Sequence, residues 1–320
     1  MKLGADVGGT KTLLEARAGA FTLLRKRYEN ALFASFDDLL GEFLAEVRDH
    51  HRAPVTAACL AVAGPVADGT ATLTNRPDWR LNAEALGERF GLAQVKLVND
   101  FVGVTAGLAD LLPGEMRELQ PGKRVPTAPA LAVGPGTGCG VGLLIDGLPV
   151  ASEGGHVALA PFDADSSALW RALGAPDRRV TMEDVLSGRG LLACYQALAG
   201  DSASGGGAVQ SPADVVTAAE EGTPLAERAV RLFARCFGSF AGDLALVVLA
   251  HGGVFLAGGI PPRLPKDLFD GEFLKAFRAK AVYAELAASF PVRLVLADDL
   301  GLRGALRLAG EQVPAARSRD

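Results

Sequence analysis

Apolar and polar positions alternate along this chain in two periods. Leu3–Asp6 is a short apolar run that ends in an acid, and Gly8-Gly9 follows as a tight turn. Thr12–Arg17 and Phe21–Tyr28 read as two further strands with Gly19 between them. The period then lengthens. After Ser35, a candidate N-cap, Phe36, Leu39, Leu40, Phe43, Leu44 and Val47 recur at helical spacing and predict a helix through His50. Ala57–Val62 predicts a buried strand stopped by Gly64-Pro65, and Asn82–Phe90 a short helix. Val95–Val98 predicts a strand that delivers Asn99-Asp100 to a helix across Val102–Leu112.

Pro113–Pro129 is rich in proline, glycine and charge and predicts a surface connection. The opening pattern then returns as a strand at Ala130–Val133, a turn over Gly134–Gly140 and a strand at Val141–Ile145. Strand, glycine-rich turn with a threonine, strand is also the order of Leu3–Leu14, which suggests two related halves. Further on, a helix is expected to begin near Met182 and to continue through Ser187–Ala199. Asp201–Ser211 predicts a Gly/Ser-rich loop. Pro224–Ala250 predicts one long apolar helix, with Gly238 as a point of interruption. Val254–Ala257 predicts a strand running into Gly258-Gly259, and Val292–Leu296 the last strand. Leu302–Leu308 begins a closing helix, and the tail after Val313 reads as frayed. The pattern is that of an α/β protein with two lobes, about 1–110 and 111–300, the closing helix at about 301–316 returning to the first.

Composition narrows the function. With 320 residues, 49% of them hydrophobic, the chain can bury two cores. A net charge of −5 speaks against nucleic acid or an anionic membrane as the main partner. Met1–Asp6 holds no apolar stretch of signal-peptide length, and the longest apolar run, near Leu244–Ala250, falls far short of the ~20 residues that span a bilayer. Cys59, Cys139, Cys194 and Cys236 stand apart, which predicts buried free thiols in a reducing cytoplasm and no structural zinc.

Three glycine-rich turns each follow a strand: Asp6-Val7-Gly8-Gly9-Thr10-Lys11, Gly134–Gly140 with Gly136, Thr137 and Gly138, and Ala257-Gly258-Gly259-Ile260. Glycine lets backbone N–H groups approach a ligand, and a run of them forms an anion-binding concavity. One such turn can be a mere hairpin; three fit a polyphosphate better. GxxxxGK[ST] is absent and no GxGxxG opens a helix, which argues against a Walker or a Rossmann site. Asp6 can hold hydrated Mg²⁺ or cap a turn. Lys11 can meet phosphate or stand as an exposed strand lysine. Asp100, at a strand's carboxyl end, can act chemically or serve as an N-cap. Glu153-Gly154-Gly155-His156 and Glu183 offer acceptors and donors of the kind that sugar hydroxyls require.

Taken with Leu73-Thr74-Asn75, Val98-Asn99-Asp100-Phe101 and Glu183-Asp184-Val185-Leu186-Ser187-Gly188, these segments resemble the bacterial glucokinase family of the hexokinase and actin-like ATPase superfamily. The matches run in order from residue 6 to about 260, and Asp298–Gly304 also fits. The resemblance implies two ribonuclease H-like lobes with a central cleft, and phosphorylation of glucose by ATP with Mg²⁺. It implies that Asn99, Asp100, Glu153, His156 and Glu183 bind the sugar, with Asp100 as base and Asn75 nearby. It implies that the turns at 6–11 and 134–140 hold ATP phosphates, that Gly258 and Gly259 lie near adenosine, and that the assembly is a homodimer. Some features differ. The related ROK sugar kinases carry a cysteine-rich zinc motif where Ala158–Ala172 has no cysteine, so the chain falls outside that branch. Lys11 stands where some such glucokinases have Asn, Ala151-Ser152 where Pro-Gly is familiar, and Gly205–Gly207 lies in a small-residue loop. Other readings are a kinase of another hexose or of an N-acetylated amino sugar, an ATP-driven binding module on the same fold, and a sugar-sensing regulator.

Overall fold

The computed structural model describes residues 1–200 and 209–310, so most of the Asp201–Ser211 loop and the tail after Val313 lie outside the described residues. The chain forms two compact units, residues 1–111 with 299–320, and residues 112–298. In the first, Lys2–Val7 (β1), Lys11–Ala18 (β2) and Phe21–Glu29 (β3) form a meander, followed by helix Phe36–His50 (α1) and strand Ala57–Val62 (β4). Strands Val66–Ala67 (β5), Thr70–Leu73 (β6) and Arg76–Asn82 (β7), helix Ala83–Phe90 (α2), strand Gln94–Asn99 (β8) and helix Asp100–Gly107 (α3) complete that stretch. In the main sheet, ordered β3-β2-β1-β4-β8, β4 runs parallel to both β1 and β8. Strand β4 is a continuous apolar run, and β1 is buried from Leu3 to Ala5, because both faces are covered there. Ser35 accepts the Asp38 N–H at 3.1 Å, and the six apolar positions of α1 are buried against the sheet. Each such side chain contributes about 1.5–3 kcal/mol.

The second unit holds strands Met116–Gln120 (β9), Ala130–Pro135 (β10), Cys139–Ile145 (β11) and Leu148–Ser152 (β12). Helices Ala164–Ala172 (α4), Met182–Val185 (α5), Gly188–Ala199 (α6), Pro212–Glu220 (α7) and Pro224–Val248 (α8) follow. Strand Gly253–Leu256 (β13), helices Lys266–Arg278 (α9) and Ala284–Ser289 (α10) and strand Val292–Val295 (β14) end the unit, after which Leu300–Leu308 (α11) belongs to the first. The second sheet runs β12-β11-β10-β13-β14-β9. Its first five strands repeat the order and directions of the first sheet: an antiparallel meander, then two parallel strands.

Several expectations need correction. The segment read as a connection contains β9, which pairs antiparallel with β14. Strands β5, β6, β7 and β12 add to the expected elements: Asp68-Gly69 turns β5 into β6 and Asp146-Gly147 turns β11 into β12, with positive φ at all four residues. Helices α5 and α6 are separate, each with its own cap, Thr181 and Ser187. Helix α3 starts at Asp100 and ends at Gly107, passing into a 3₁₀ turn at Leu108–Asp110. Helix α8 is unbroken: Gly238 is there because a Cβ would lie 2.1 Å from the Phe273 carbonyl of α9. Among the described residues no helix is long and apolar enough to cross a membrane, and all four cysteines are buried and free.

Candidate active site

In the first lobe one row of paired residues brings the candidates together. Val7 lies opposite Val62 on β4, and Val62 lies opposite Asn99 on β8. The β1–β2 turn and the Asn99-Asp100 pair therefore leave the same edge of the sheet, at the carboxyl ends of its parallel strands. The turn is closed by the Gly8 N–H donating to the Lys11 carbonyl at 3.0 Å. A Cβ on Gly9 would lie 3.0 Å from the Asn75 Cβ, so Asn75 stands close against the turn. The Lys11 ammonium is paired with Glu29 at 3.3 Å, both side chains being about half exposed. Asp6, at the end of β1, has its carboxylate against Gly301 in the first turn of α11, where a Cβ would sit 2.7 Å from Oδ2.

The residue that caps α3 is Asn99: its Oδ1 accepts the Phe101 N–H at 2.9 Å while its Nδ2 donates to the Gly64 carbonyl at 3.3 Å. Asp100 is therefore the first helical residue rather than the N-cap, and its Oδ1 accepts the same Phe101 N–H at 2.9 Å.

In the second lobe the candidates assemble around the Gly136-Thr137-Gly138 turn. The Gly136 N–H donates to the Gly138 carbonyl at 2.7 Å. The Gly188 N–H, at the start of α6, donates to the Gly136 carbonyl at 2.9 Å. Glu183 is more than a first-turn helix acid. Its Oε2 accepts the Cys139 N–H at 3.0 Å, and a Cβ on Gly138 would lie 2.5 Å from that oxygen. Its other oxygen pairs with Arg189 at 3.3 Å. Gly258 packs behind the turn in a positive-φ conformation that a Cβ could not share with the Pro135 carbonyl 2.6 Å away, and Gly259 follows it. Gly155 lets the Glu153–His156 segment pack onto the Cys139 carbonyl, which a Cβ would meet at 2.0 Å. Glu153 and His156 themselves stand 70% and 56% exposed, 3.9 Å apart. Ser187, Gly188 and Arg189 are thus neighbours of the turn for which the sequence had suggested no separate role.

Burial, with the Glu183 carboxylate adding to it, pushes the Cys139 thiol up to about 12. Burial pushes Asp184 up as well, but hydrogen bonds from Thr181 and Arg178 outweigh it and hold that carboxyl below its ordinary value. Among the described residues no group of three or more His, Cys, Asp or Glu side chains is placed to hold a metal ion.

Two lobes whose sheets each carry a glycine–threonine hairpin leading into parallel strands define a two-lobed α/β protein of the actin-like ATPase fold. The family model "Glucokinase" matches residues 3–312. A glucokinase of Chromohalobacter salexigens is 37% identical over 306 residues, covering 94% of each chain. One of Nostoc punctiforme is 33% identical, covering 95% of this chain and 97% of its own. The crystal structure of a glucokinase from an Antarctic psychrotroph superposes with a TM-score of 0.81 at 29% identity, covering 95% of this chain and 97% of the other. The chain belongs to the glucokinase family, enzymes that phosphorylate glucose with ATP.

Proposed function

We propose that the chain transfers the γ-phosphoryl group of ATP to the 6-hydroxyl of glucose, with Asp100 as general base. The observation that carries the reading is the row Val7, Val62, Asn99, which sets the turn at Gly8–Thr10 and the Asn99-Asp100 pair on one sheet edge. Asp100 accepts the hydroxyl proton as the oxygen attacks phosphorus in line, and a carboxylate of ordinary basicity suffices when proton transfer follows most of the bond making. Gly9, Thr10 and Lys11 on the first lobe and Thr137 and Gly138 on the second offer backbone N–H and hydroxyl donors to phosphate oxygens, while Gly8 and Gly136, whose own N–H groups close the turns, set their shape. Gly258 and Gly259 border the adenosine. Asn75, Asn99, Glu153, His156 and Glu183 offer the acceptors and donors that orient sugar hydroxyls.

A single carboxylate, Asp6, suits Mg²⁺ that keeps most of its water, and no all-protein cage is needed. When bound, that ion would neutralise charge on the phosphates. The reading takes the enzyme as cytoplasmic, since ATP is its substrate and four free thiols fit a reducing compartment. It also takes the enzyme as a homodimer, which sedimentation at assay concentration checks. A coupled assay with glucose, mannose, fructose and N-acetylmannosamine tests the substrate. Glucose is expected to give the highest kcat/KM, and another sugar tenfold better would overturn the choice.

A further inference from the structure

Asn30 is fully buried yet polar, and three of its hydrogen bonds go to the first-lobe turn. It follows β3 directly. Its side-chain Nδ2 donates to the Gly8 carbonyl at 2.8 Å and the Gly9 carbonyl at 3.3 Å. Its Oδ1 accepts the Thr12 hydroxyl at 2.8 Å, and its backbone N–H donates to the Thr10 carbonyl at 2.8 Å. Two carbonyls can be met only by the amide's NH₂, so the orientation of the side chain is fixed by its partners. Asn30 is itself held: Arg76 Nη1 donates to its carbonyl at 2.6 Å, and the Arg76 guanidinium lies 4.4 Å from the Trp79 ring centre.

We infer that Asn30 is the positioning residue that pre-organises the phosphate turn. A trans peptide is planar, with C=O and the next N–H pointing opposite ways. Drawing the Gly8 and Gly9 carbonyls toward Asn30 therefore turns the N–H groups of Gly9 and Thr10 to the other side, as an anion-binding concavity requires. Donors fixed in advance cost no reorganisation when the phosphate arrives. Asn30 touches no substrate, and its effect is transmitted through the backbone of Gly8–Thr10. The inference rests on the reading of that turn as a nucleotide-phosphate site.

Asn30→Asp is the sharpest variant. It keeps size and shape but sets an oxygen against two carbonyl oxygens in place of a donor. Thr12→Val removes the hydroxyl that holds Oδ1 and serves should Asn30→Asp fold poorly. Gly9→Val alters the turn itself. The readouts are KM for ATP and for glucose, the Kd for ADP by calorimetry, and the urea midpoint. The expected result for Asn30→Asp is a rise of about tenfold or more in KM for ATP and Kd for ADP, with KM for glucose within about twofold. Thr12→Val should shift them in the same direction by less, and Gly9→Val should weaken ADP strongly. If Gly9→Val weakens ADP while Asn30→Asp and Thr12→Val do not, the turn keeps its role and the inference about Asn30 falls. A lower urea midpoint with both KM values moved equally would make Asn30 merely structural and overturn it too. If Gly9→Val leaves ADP binding unchanged, the phosphate-turn reading itself fails.

Discussion

Helix α3, which begins with Asp100, is held against α11 by glycines on both sides, and Gly304 is the tightest of them. A Cβ there would lie 1.8 Å from the Gly103 carbonyl oxygen, 2.7 Å from its carbon and 2.8 Å from the Gly107 nitrogen. All three atoms are backbone, so no rotamer change can make room. Since real Cβ contacts stay beyond 3.0 Å, Gly304→Ala must drive the two helices at least about 1.2 Å apart. Overpacking of this kind costs ~3 kcal/mol, against which the better helix propensity of alanine returns ~1. A net loss of about 2 kcal/mol is expected in urea unfolding. Because α3 carries Asp100, the proposed base, a shift of an ångström should also lower kcat by about 10²-fold. Gly271→Ala in α9 is the control. Nothing lies within 4 Å of its Cβ position, so it should stabilise by about 0.5–1 kcal/mol and leave kcat unchanged. The reasoning is refuted if Gly304→Ala keeps kcat within about threefold of the wild type and does not move the urea midpoint.

Glu183 gives a second test. Glu183→Ala leaves the Cys139 N–H without its acceptor and should raise KM for ATP as well as for glucose, whereas Glu183→Gln keeps an acceptor and should disturb ATP less. A rise confined to glucose in the alanine variant would contradict the bond to the turn. The third test concerns pH. With its pKa raised to about 12, Cys139 stays a neutral thiol across the working range, and thiolate becomes abundant only as pH climbs toward that value. Iodoacetamide at pH 8, followed by peptide mass mapping, should leave Cys139 unmodified in the native protein and label it in urea. Rapid native labelling would count against the buried, carboxylate-flanked environment.

The legible parts of this fold are those set by local chemistry. Ser35 before a helical stripe and the apolar run Ala57–Val62 carry their own caps and period, and they form as read. Gly238 misled because a glycine in a helix is written the same way whether it breaks the helix or admits a neighbour, and the Phe273 carbonyl that decides the matter lies 35 residues on. Strand β9 mixes apolar and polar residues on both faces and pairs with β14 far along the chain, so only the pairing reveals it. Asp68-Gly69 and Asp146-Gly147, by contrast, are hairpin signals written locally in the chain. At the candidate site, residue types and order pointed to the Gly8–Thr10 and Gly136–Gly138 turns and to the Asn99-Asp100 pair. Their supports did not show: the Glu183 bond to Cys139 and the grip of Asn30 on Gly8 and Gly9 join side chains to distant backbone atoms. No local pattern in the chain encodes such a contact.

The account turns on the Asp100 carboxylate as proton acceptor. Its most direct test is the turnover of Asp100→Asn with saturating ATP and glucose, paired with calorimetric glucose binding on the same preparation. The expected result is a loss of at least roughly 10²-fold in kcat with glucose still bound. Turnover near the wild-type value in a variant that binds glucose would take Asp100 out of the reaction.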